Sequence, residues 1–496
     1  MNVSDPAPEV RRRPADQRAS IAVDLGAESC RVSLLRWVQG EPQLTLVHRF
    51  PNGPVRASDG SLRWPLEAIL SGVEQGIRRC AQLAPEGVRS LAVDGWAVDY
   101  VRLNAAGAPL EEPFCYRDER NVRAAEELHQ SFSAERMREI AGIELQPLNT
   151  LYQLYADRLS GRPSAPWLNL PEFCLAHWGA EPVAEYTNAS HTQLVDLYAA
   201  NWSREIFRAA ELDLSCAPRL VPPGTLLGKL AGPLASVPGL QDVELVAPAC
   251  HDTASAIAGI AEGGDDWAYI SCGTWSLVGT LVDRPLNGLA VREDNFTNLG
   301  AVGGATCFHK SVNGMWLLKQ CMEHWAQAGE PWPLTDLLCA AEAHPEPAHL
   351  LHIDDPALLG MGNMPARINA QFAAAGKPPI SEHRDAAPAI TCMLLHSLAS
   401  RYAEVMERVK LHTGKPLRRI VMVGGGAQNA TLRRLTAEKT GLEVVTGPTE
   451  SSTVGNLAVQ LAVLEEQTPV TSPEFVPAVA AWARVLGNLP MSPVAG

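Results

Sequence analysis

Two segments of this chain follow one plan, and any fold must accommodate both. Ile21-Ala22-Val23-Asp24-Leu25-Gly26-Ala27-Glu28-Ser29-Cys30-Arg31-Val32-Ser33-Leu34-Leu35 reads as an apolar strand, a turn carrying Gly26 and a second strand. Much later, Ala268-Tyr269-Ile270-Ser271-Cys272-Gly273-Thr274-Trp275-Ser276-Leu277-Val278-Gly279-Thr280 repeats the plan with Gly273 in the turn. Each turn presents backbone N–H groups and hydroxyls, Ser29 in the first and Ser271, Thr274 and Ser276 in the second, so each can cradle a phosphate. At 496 residues the chain is too long for a single ordinary core, and the repeated hairpin assigns one domain to each half. We place a flexible tail at residues 1–18, an N-terminal domain at 19–262, a C-terminal domain at 263–475 and a second tail at 476–496.

Between the hairpins, strands alternate with helical patterns, which makes the chain α/β. Leu66, Ile69, Leu70, Val73 and Ile77 recur at helical spacing in a segment spanning 66–83. A second helix is expected over 389–410, with Ile390, Met393, Leu394, Leu398, Tyr402, Val405, Met406 and Val409 on one face; that stripe is core rather than a cofactor site. Residues 343–387, rich in Pro, His and Gly, read as connecting structure.

The chemistry concentrates after the short strand pattern Val243-Glu244-Leu245-Val246-Ala247. There Asp252 stands at the strand's mouth and at the start of a helix begun by Ala254, Ile257, Ala258 and Ile260. In open α/β sheets ligands collect at the carboxyl ends of strands, so a catalytic base belongs there. Taken alone, Asp252 or Thr253 capping the helix explains the same residues. Arg419-Ile420-Val421-Met422-Val423 runs into Gly424-Gly425-Gly426 and a helix beginning near Ala430. Glycines there let a ligand approach the backbone, and a tight turn accounts for them equally.

Composition bounds the partners. With 46% hydrophobic and 19% charged residues the chain is globular, and a formal net charge of −14 argues against nucleic acid or an anionic membrane surface as general partners. The 11 cysteines form no C-x-x-C pair, which fits reduced thiols in a cytoplasm. No apolar run approaches membrane-spanning length, and the first residues lack a signal-peptide core, so we expect a cytoplasmic protein. Oligomeric state is not legible.

Seven ordered motifs carry a resemblance. They are Trp96-Ala97-Val98-Asp99-Tyr100, Tyr116-Arg117-Asp118, Leu148-Asn149-Thr150-Leu151-Tyr152-Gln153-Leu154, Glu185-Tyr186-Thr187-Asn188-Ala189-Ser190, His251-Asp252-Thr253-Ala254-Ser255-Ala256, Gly273-Thr274-Trp275-Ser276-Leu277 and Gly424-Gly425-Gly426-Ala427-Gln428-Asn429. On these the chain resembles the FGGY family of carbohydrate kinases, within it the branch acting on L-rhamnulose. The resemblance implies two actin-like, ribonuclease-H-like domains around a central catalytic cleft, the first binding sugar and the second nucleotide. It implies transfer of the γ-phosphoryl of ATP, with Mg²⁺, to the primary hydroxyl of a deoxy-ketose. The expected product is L-rhamnulose 1-phosphate, with L-fuculose as the alternative substrate.

Roles follow at matched positions. Asp252 is expected as the base, with His251 and Thr253 on the sugar. Ala27, Glu28, Ser29, Cys30 and Arg31 are expected along the triphosphate, Asp24 on Mg²⁺ through water, Thr274 on a phosphate and Gly425 under the adenosine. Several positions depart from the family's pattern, among them Gly95 and Cys30, which replace a threonine and a glycine. Ala97 and Ser311 replace a glycine and an asparagine beside the sugar, Lys319 replaces a glutamine on the nucleotide side, and Glu28 replaces a serine near the phosphates. A catalytically silent sensor on the same fold would have lost the base or the metal ligand, whereas Asp252 and Asp24 are both present. Trp96 and Trp275 read as core aromatics or sugar platforms, Arg117-Asp118 as an internal ion pair, and His251 as a sugar contact or a satisfied buried histidine.

Overall fold

The computed structural model describes residues 13–360 and 362–493. Its first strand, β1 (Ala19–Leu25), is buried along its whole length, and β2 (Ser29–Val38) returns antiparallel to it. Gly26 makes that reversal possible, because a Cβ there would run into the Ser29 carbonyl. β3 (Glu41–Pro51) extends the meander, and helix α1 (Leu66–Leu83) packs its Ile69, Val73 and Ile77 face onto it. β4 (Val88–Gly95) pairs parallel with β1, β5 (Thr225–Lys229) lies at the sheet's edge, and β6 (Glu244–Ala247) pairs parallel with β4.

The second half repeats this topology. β7 (Trp267–Cys272) and β8 (Trp275–Val282) form the second hairpin; β9 (Thr297–Gly300) and β10 (Thr306–Asn313) continue on one side. β11 (Arg419–Val423) and β12 (Glu443–Thr446) add parallel strands on the other. The sheet orders are β5-β6-β4-β1-β2-β3 with one further strand beyond β3, and β9-β10-β8-β7-β11-β12. In both, the hairpin's first strand has its return strand on one side and two successive parallel strands on the other, which is the ribonuclease-H-like plan that the family resemblance implies.

Helices join and separate the sheets. α2 (Thr150–Leu159) sits in the N-terminal half, α3 (Asp252–Ala258) follows β6, α4 (Trp316–Gln327) follows β10, and α5 (Met364–Ala374) lies within the stretch read as connecting structure. That stretch is therefore not wholly irregular: Ile368 and Phe372 of α5 are buried in the second core. α6 (Ala387–Thr413) contains the expected stripe, and α7 (Ala430–Thr440) starts where the glycine run ends. α8 (Ser451–Glu466) crosses α3 so closely that a Cβ at Gly455 would strike the Ser255 carbonyl. The crossing belongs to a hydrophobic cluster that takes Ala22 and Leu35 from the first sheet and Val421 and Val423 from the second.

The expected C-terminal tail is corrected. Residues from Phe475 form helix α9 (Phe475–Gly487), which buries Phe475, Val479, Trp482 and Leu486, and β13 (Met491–Pro493) pairs parallel with β3 as the seventh strand of the first sheet. Apolar residues at helical spacing and an open sheet edge are satisfied together by that return. Of the expected N-terminal tail, residues 1–12 lie outside the described residues, while the Ala15 N–H donates to the Glu465 carboxylate at 2.6 Å. Among the described residues no helix is long and apolar enough to cross a membrane.

Candidate active site

β6 ends at Ala247 and α3 begins at Asp252, so the connecting Cys250-His251 backbone fixes where Asp252 points. Two buried glutamates hold that backbone. Glu185 accepts the Cys250 N–H at 2.8 Å, Thr187 Oγ1 accepts the His251 N–H at 3.2 Å, and Glu172 in turn accepts the Glu185 N–H at 3.1 Å. Burial pushes Glu172 up to about 7 and Glu185 up to about 8. The Glu185 to Ser190 motif thus supports the strand end that carries the expected base. Asp252 is the accessible carboxylate of the group, its side chain 39% exposed against 6% for His251. Its Oδ1 accepts the Thr253 N–H at 2.5 Å and lies 3.0 Å from His251 Nδ1. The capping alternative is thereby partly met, since Asp252 does bind a backbone N–H at the helix start.

Asp24 is the next-to-last residue of β1, and its register partner on β4 is Asp94. Both are buried. Arg31 Nη1 and Ser452 Oγ donate to Asp24 Oδ2 at 3.1 and 2.8 Å, and Asn456 Nδ2 donates to Asp94 Oδ2 at 2.7 Å. Burial, with the charge of Asp252 near both, raises Asp24 above the usual carboxylate range and Asp94, which Asp24 also repels, well above it; Arg31 works in the opposite direction. Asp94 Oδ1 is buried without a partner. Sequence reasoning named Asp24 and missed Asp94, although an acid next to last in an apolar strand, with a glycine one or two residues on, is the same signal in both places.

The sugar-side candidates come from both domains. Ala97 follows the end of β4, whose Gly95 N–H donates to the Cys250 carbonyl at 2.9 Å. Beside it Val98 has φ +70°, a strained value for a β-branched residue. Its carbonyl is pinned by Thr150 Oγ1 at 2.7 Å and Gln153 Nε2 at 3.2 Å. Asp99 accepts indole N–H bonds from Trp64 and Trp96 at 2.5 and 2.9 Å and an amide bond from Gln153 at 3.0 Å. Trp96 is accordingly a core aromatic, its ring 4.4 Å from that of Trp64. From the second domain, Ser311 shares a face of β10 with His309, and the Asn295 amide donates to the half-buried Glu144 carboxyl of the first at 2.6 Å; burial raises that carboxyl to about 7.

The nucleotide-side candidates divide. Ala27, Glu28 and Arg31 remain accessible at the first hairpin, and Ser29 accepts bonds from Arg49 at 3.2–3.3 Å. Cys30 is a correction: its thiol is buried in the first core, so only its backbone can meet a ligand. Ser276 likewise leaves the second cradle, its hydroxyl 2.6 Å from Tyr402 in the interior, while Thr274 is partly exposed. Gly425 is open, with nothing close to where a Cβ would stand. Lys319 Nζ sits 2.7 Å from Glu28 Oε2, so two departures from the family's pattern pair across the domains. Arg117 is another correction. It lies over the Tyr116 and Trp316 rings at 5.1 and 5.0 Å, while Asp118 accepts the Leu62 N–H at 2.7 Å.

Residues 19–259 match the FGGY family of carbohydrate kinases, N-terminal domain, and residues 268–464 match its C-terminal domain. The chain belongs to the FGGY family of carbohydrate kinases. This FGGY kinase is 31% identical over 458 residues to a rhamnulokinase of Enterococcus faecalis, covering 91% of the chain and 90% of that protein. It is 32% identical over 452 residues to a rhamnulokinase of Lactiplantibacillus plantarum, with 90% of each covered. Among solved structures, the gluconate kinase from Lactobacillus acidophilus superposes with a TM-score of 0.74 at 15% identity over 94% of this chain and 96% of that one. The Plasmodium falciparum glycerol kinase with ADP gives 0.71 at 12% identity, covering 94% and 92%. These distant superpositions show the two-domain fold.

Proposed function

We propose that this FGGY kinase transfers the γ-phosphoryl of ATP to the primary hydroxyl of L-rhamnulose, giving L-rhamnulose 1-phosphate. The observation carrying the reading is Asp252, an accessible carboxylate at a strand-to-helix junction, beside a domain boundary crossed by Ser452–Asp24 and Asn456–Asp94 bonds. The curated relatives' names supply the sugar, and the family's use of ATP supplies the donor. Phosphoryl transfer asks mainly for positioning and charge stabilisation, which suits a site with one accessible carboxylate and little other reactive chemistry.

Asp252 removes the proton of the attacking hydroxyl and Thr253 holds the sugar beside it, while His251, its two ring nitrogens taken by Asp252 and His191, borders the sugar only with its ring carbons. Ala97 and Ser311 shape the ketose pocket from opposite domains. Ala27 to Arg31 and Thr274 offer donors to the phosphates, Lys319 offers a cation, and Gly425 leaves room for adenosine. Asp24 and Asp94 fit a role in holding Mg²⁺: they crowd each other and leave a buried oxygen unpartnered. Among the described residues no three His, Cys, Asp or Glu side chains converge to hold a metal alone, and Mg²⁺ ordinarily takes one or two carboxylates with water and phosphate oxygens. When bound, it supplies charge neutralisation across the phosphates.

A panel of L-rhamnulose, L-fuculose, L-ribulose, L-xylulose and glycerol, each with ATP and coupled ADP detection, tests the reading. The highest kcat/KM is expected for L-rhamnulose. A higher value for any other member reassigns the sugar, and ADP release indifferent to sugar removes the kinase reading of the site.

A further inference from the structure

His191 belongs to none of the roles above, yet it touches the expected sugar-binding histidine. It lies in the short turn Ser190–Thr192, and only part of its surface is accessible. Its Nδ1 is 2.8 Å from His251 Nε2. The two ring planes differ by 12° with centroids 5.0 Å apart, so the rings lie edge to edge nearly in one plane. That is the geometry of an in-plane N–H···N bond rather than of stacking.

Counting donors and acceptors assigns its direction. The Thr253 N–H has a near acceptor in Asp252 Oδ1 at 2.5 Å and a far one in His251 Nδ1 at 3.2 Å. An ionised carboxylate only accepts, so with Asp252 Oδ1 3.0 Å from His251 Nδ1 the proton belongs on that nitrogen. The neutral imidazole then has a lone pair on Nε2, which must accept, and the donor facing it is His191 Nδ1–H. The opposite tautomer would turn two lone pairs toward each other between His251 and Asp252. His191 must itself be neutral for this pattern; burial, with the nearby His251 and His309, holds it well below the ordinary histidine range.

We infer that His191 is a positioning residue whose Nδ1–H bonds Nε2 and holds the ring plane of His251 in the tautomer that Asp252 requires, so that His251 Nδ1–H orients the Asp252 carboxylate. The inference deepens the proposed function and rests on Asp252 being the base. The bonds from His251, the Thr253 N–H and the Thr253 hydroxyl all converge on Oδ1, the last at 3.2 Å. Oδ2 is left to take the proton of the sugar hydroxyl as its oxygen bonds to the γ-phosphorus and the bond from phosphorus to ADP breaks. The logic is that of a triad, in which the outer member orients the middle one without touching substrate.

Two measurements test it. The first is a ¹⁵N–¹H correlation spectrum of the ring nitrogens in the free, labelled protein. The proton is expected on Nδ1 of both His191 and His251, and His191→Leu is expected to move the His251 Nε2 signal away from its hydrogen-bonded position while Asp252 keeps the proton on Nδ1. A wild-type His251 protonated on Nε2 overturns the inference whatever the enzyme turns over. The second is steady-state kinetics with the preferred ketose. His191→Leu should lower kcat about 10- to 100-fold, part of the 10²- to 10⁴-fold contribution of a positioned base, with the KM for ATP unchanged. His191→Asn, which keeps an N–H near the Nδ1 position, should recover most of the loss. Equal impairment of both variants, or a raised KM for sugar with kcat intact, overturns it in favour of packing or of direct sugar contact. Expected tautomers in a wild-type protein that phosphorylates no ketose would leave the positioning standing and reject the proposed function instead.

Discussion

Asp252 combines two roles that a single residue rarely separates, since it accepts a backbone N–H and is also the proposed base. Asp252→Asn keeps an acceptor oxygen at the helix start and removes the basicity. It should lower kcat by roughly 10²- to 10⁴-fold with little change in Tm, read by coupled assay and thermal melt. If only the cap matters, Asp252→Ala costs about 1 kcal/mol of stability and spares turnover. Normal turnover with a lowered Tm would end the catalytic assignment. At Ala97 and Ser311 the question is selectivity. The double change Ala97→Gly with Ser311→Asn removes a methyl and lengthens a polar side chain in the proposed pocket. It should move the L-rhamnulose to L-fuculose ratio of kcat/KM by roughly tenfold, because methylene-scale changes are worth about 1–3 kcal/mol. An unmoved ratio with an altered KM for ATP would place these residues on the nucleotide side.

The elements around the site are held by buried carboxyls, and these predict a pH dependence. Glu172 and Glu185 stand near 7 and 8 against an ordinary value of 4.5, so between those limits the folded chain binds protons that the unfolded chain has released. Their contribution is complete below about 4.5 and is lost as pH rises through about 7 and then about 8. The Tm should fall over that window, and Glu185→Gln, which cannot ionise, should flatten the fall; parallel profiles for variant and wild type would show that Glu185 does not titrate there. How much of these elements was legible follows from the range of the information. The two hairpins, α1 and the start of α7 were readable because their signals repeat every two or about 3.6 residues. That same period of two places Cys30 on the buried face of β2 with Val32 and Leu34, a signal that the expectation of a phosphate contact passed over.

Across the whole molecule, the Glu28–Lys319 pair joins the first hairpin to α4 with side chains 49% and 42% exposed. Such a pair adds at most about 1 kcal/mol to stability, so its effect should appear in ATP binding rather than in Tm. Lys319→Gln should raise the KM for ATP about threefold to tenfold and Glu28→Ser should lower it, with the double variant matching Lys319→Gln alone rather than returning to wild type, and all three differences shrinking as salt screens the charges. Additive effects in the double variant would mean that the two residues act separately. The sequence alone determined the α/β class, the two halves, the strand-to-helix placement of Asp252 and the core stripes. Each of these is written in neighbouring residues by hydrophobic periodicity and turn chemistry. Only the tertiary structure decided that Asp94 stands beside Asp24, that His191 meets His251, that Lys319 meets Glu28 and that β13 closes onto β3. Those contacts depend on strand register and domain packing between residues far apart in the chain, where no local period records which partner will be met.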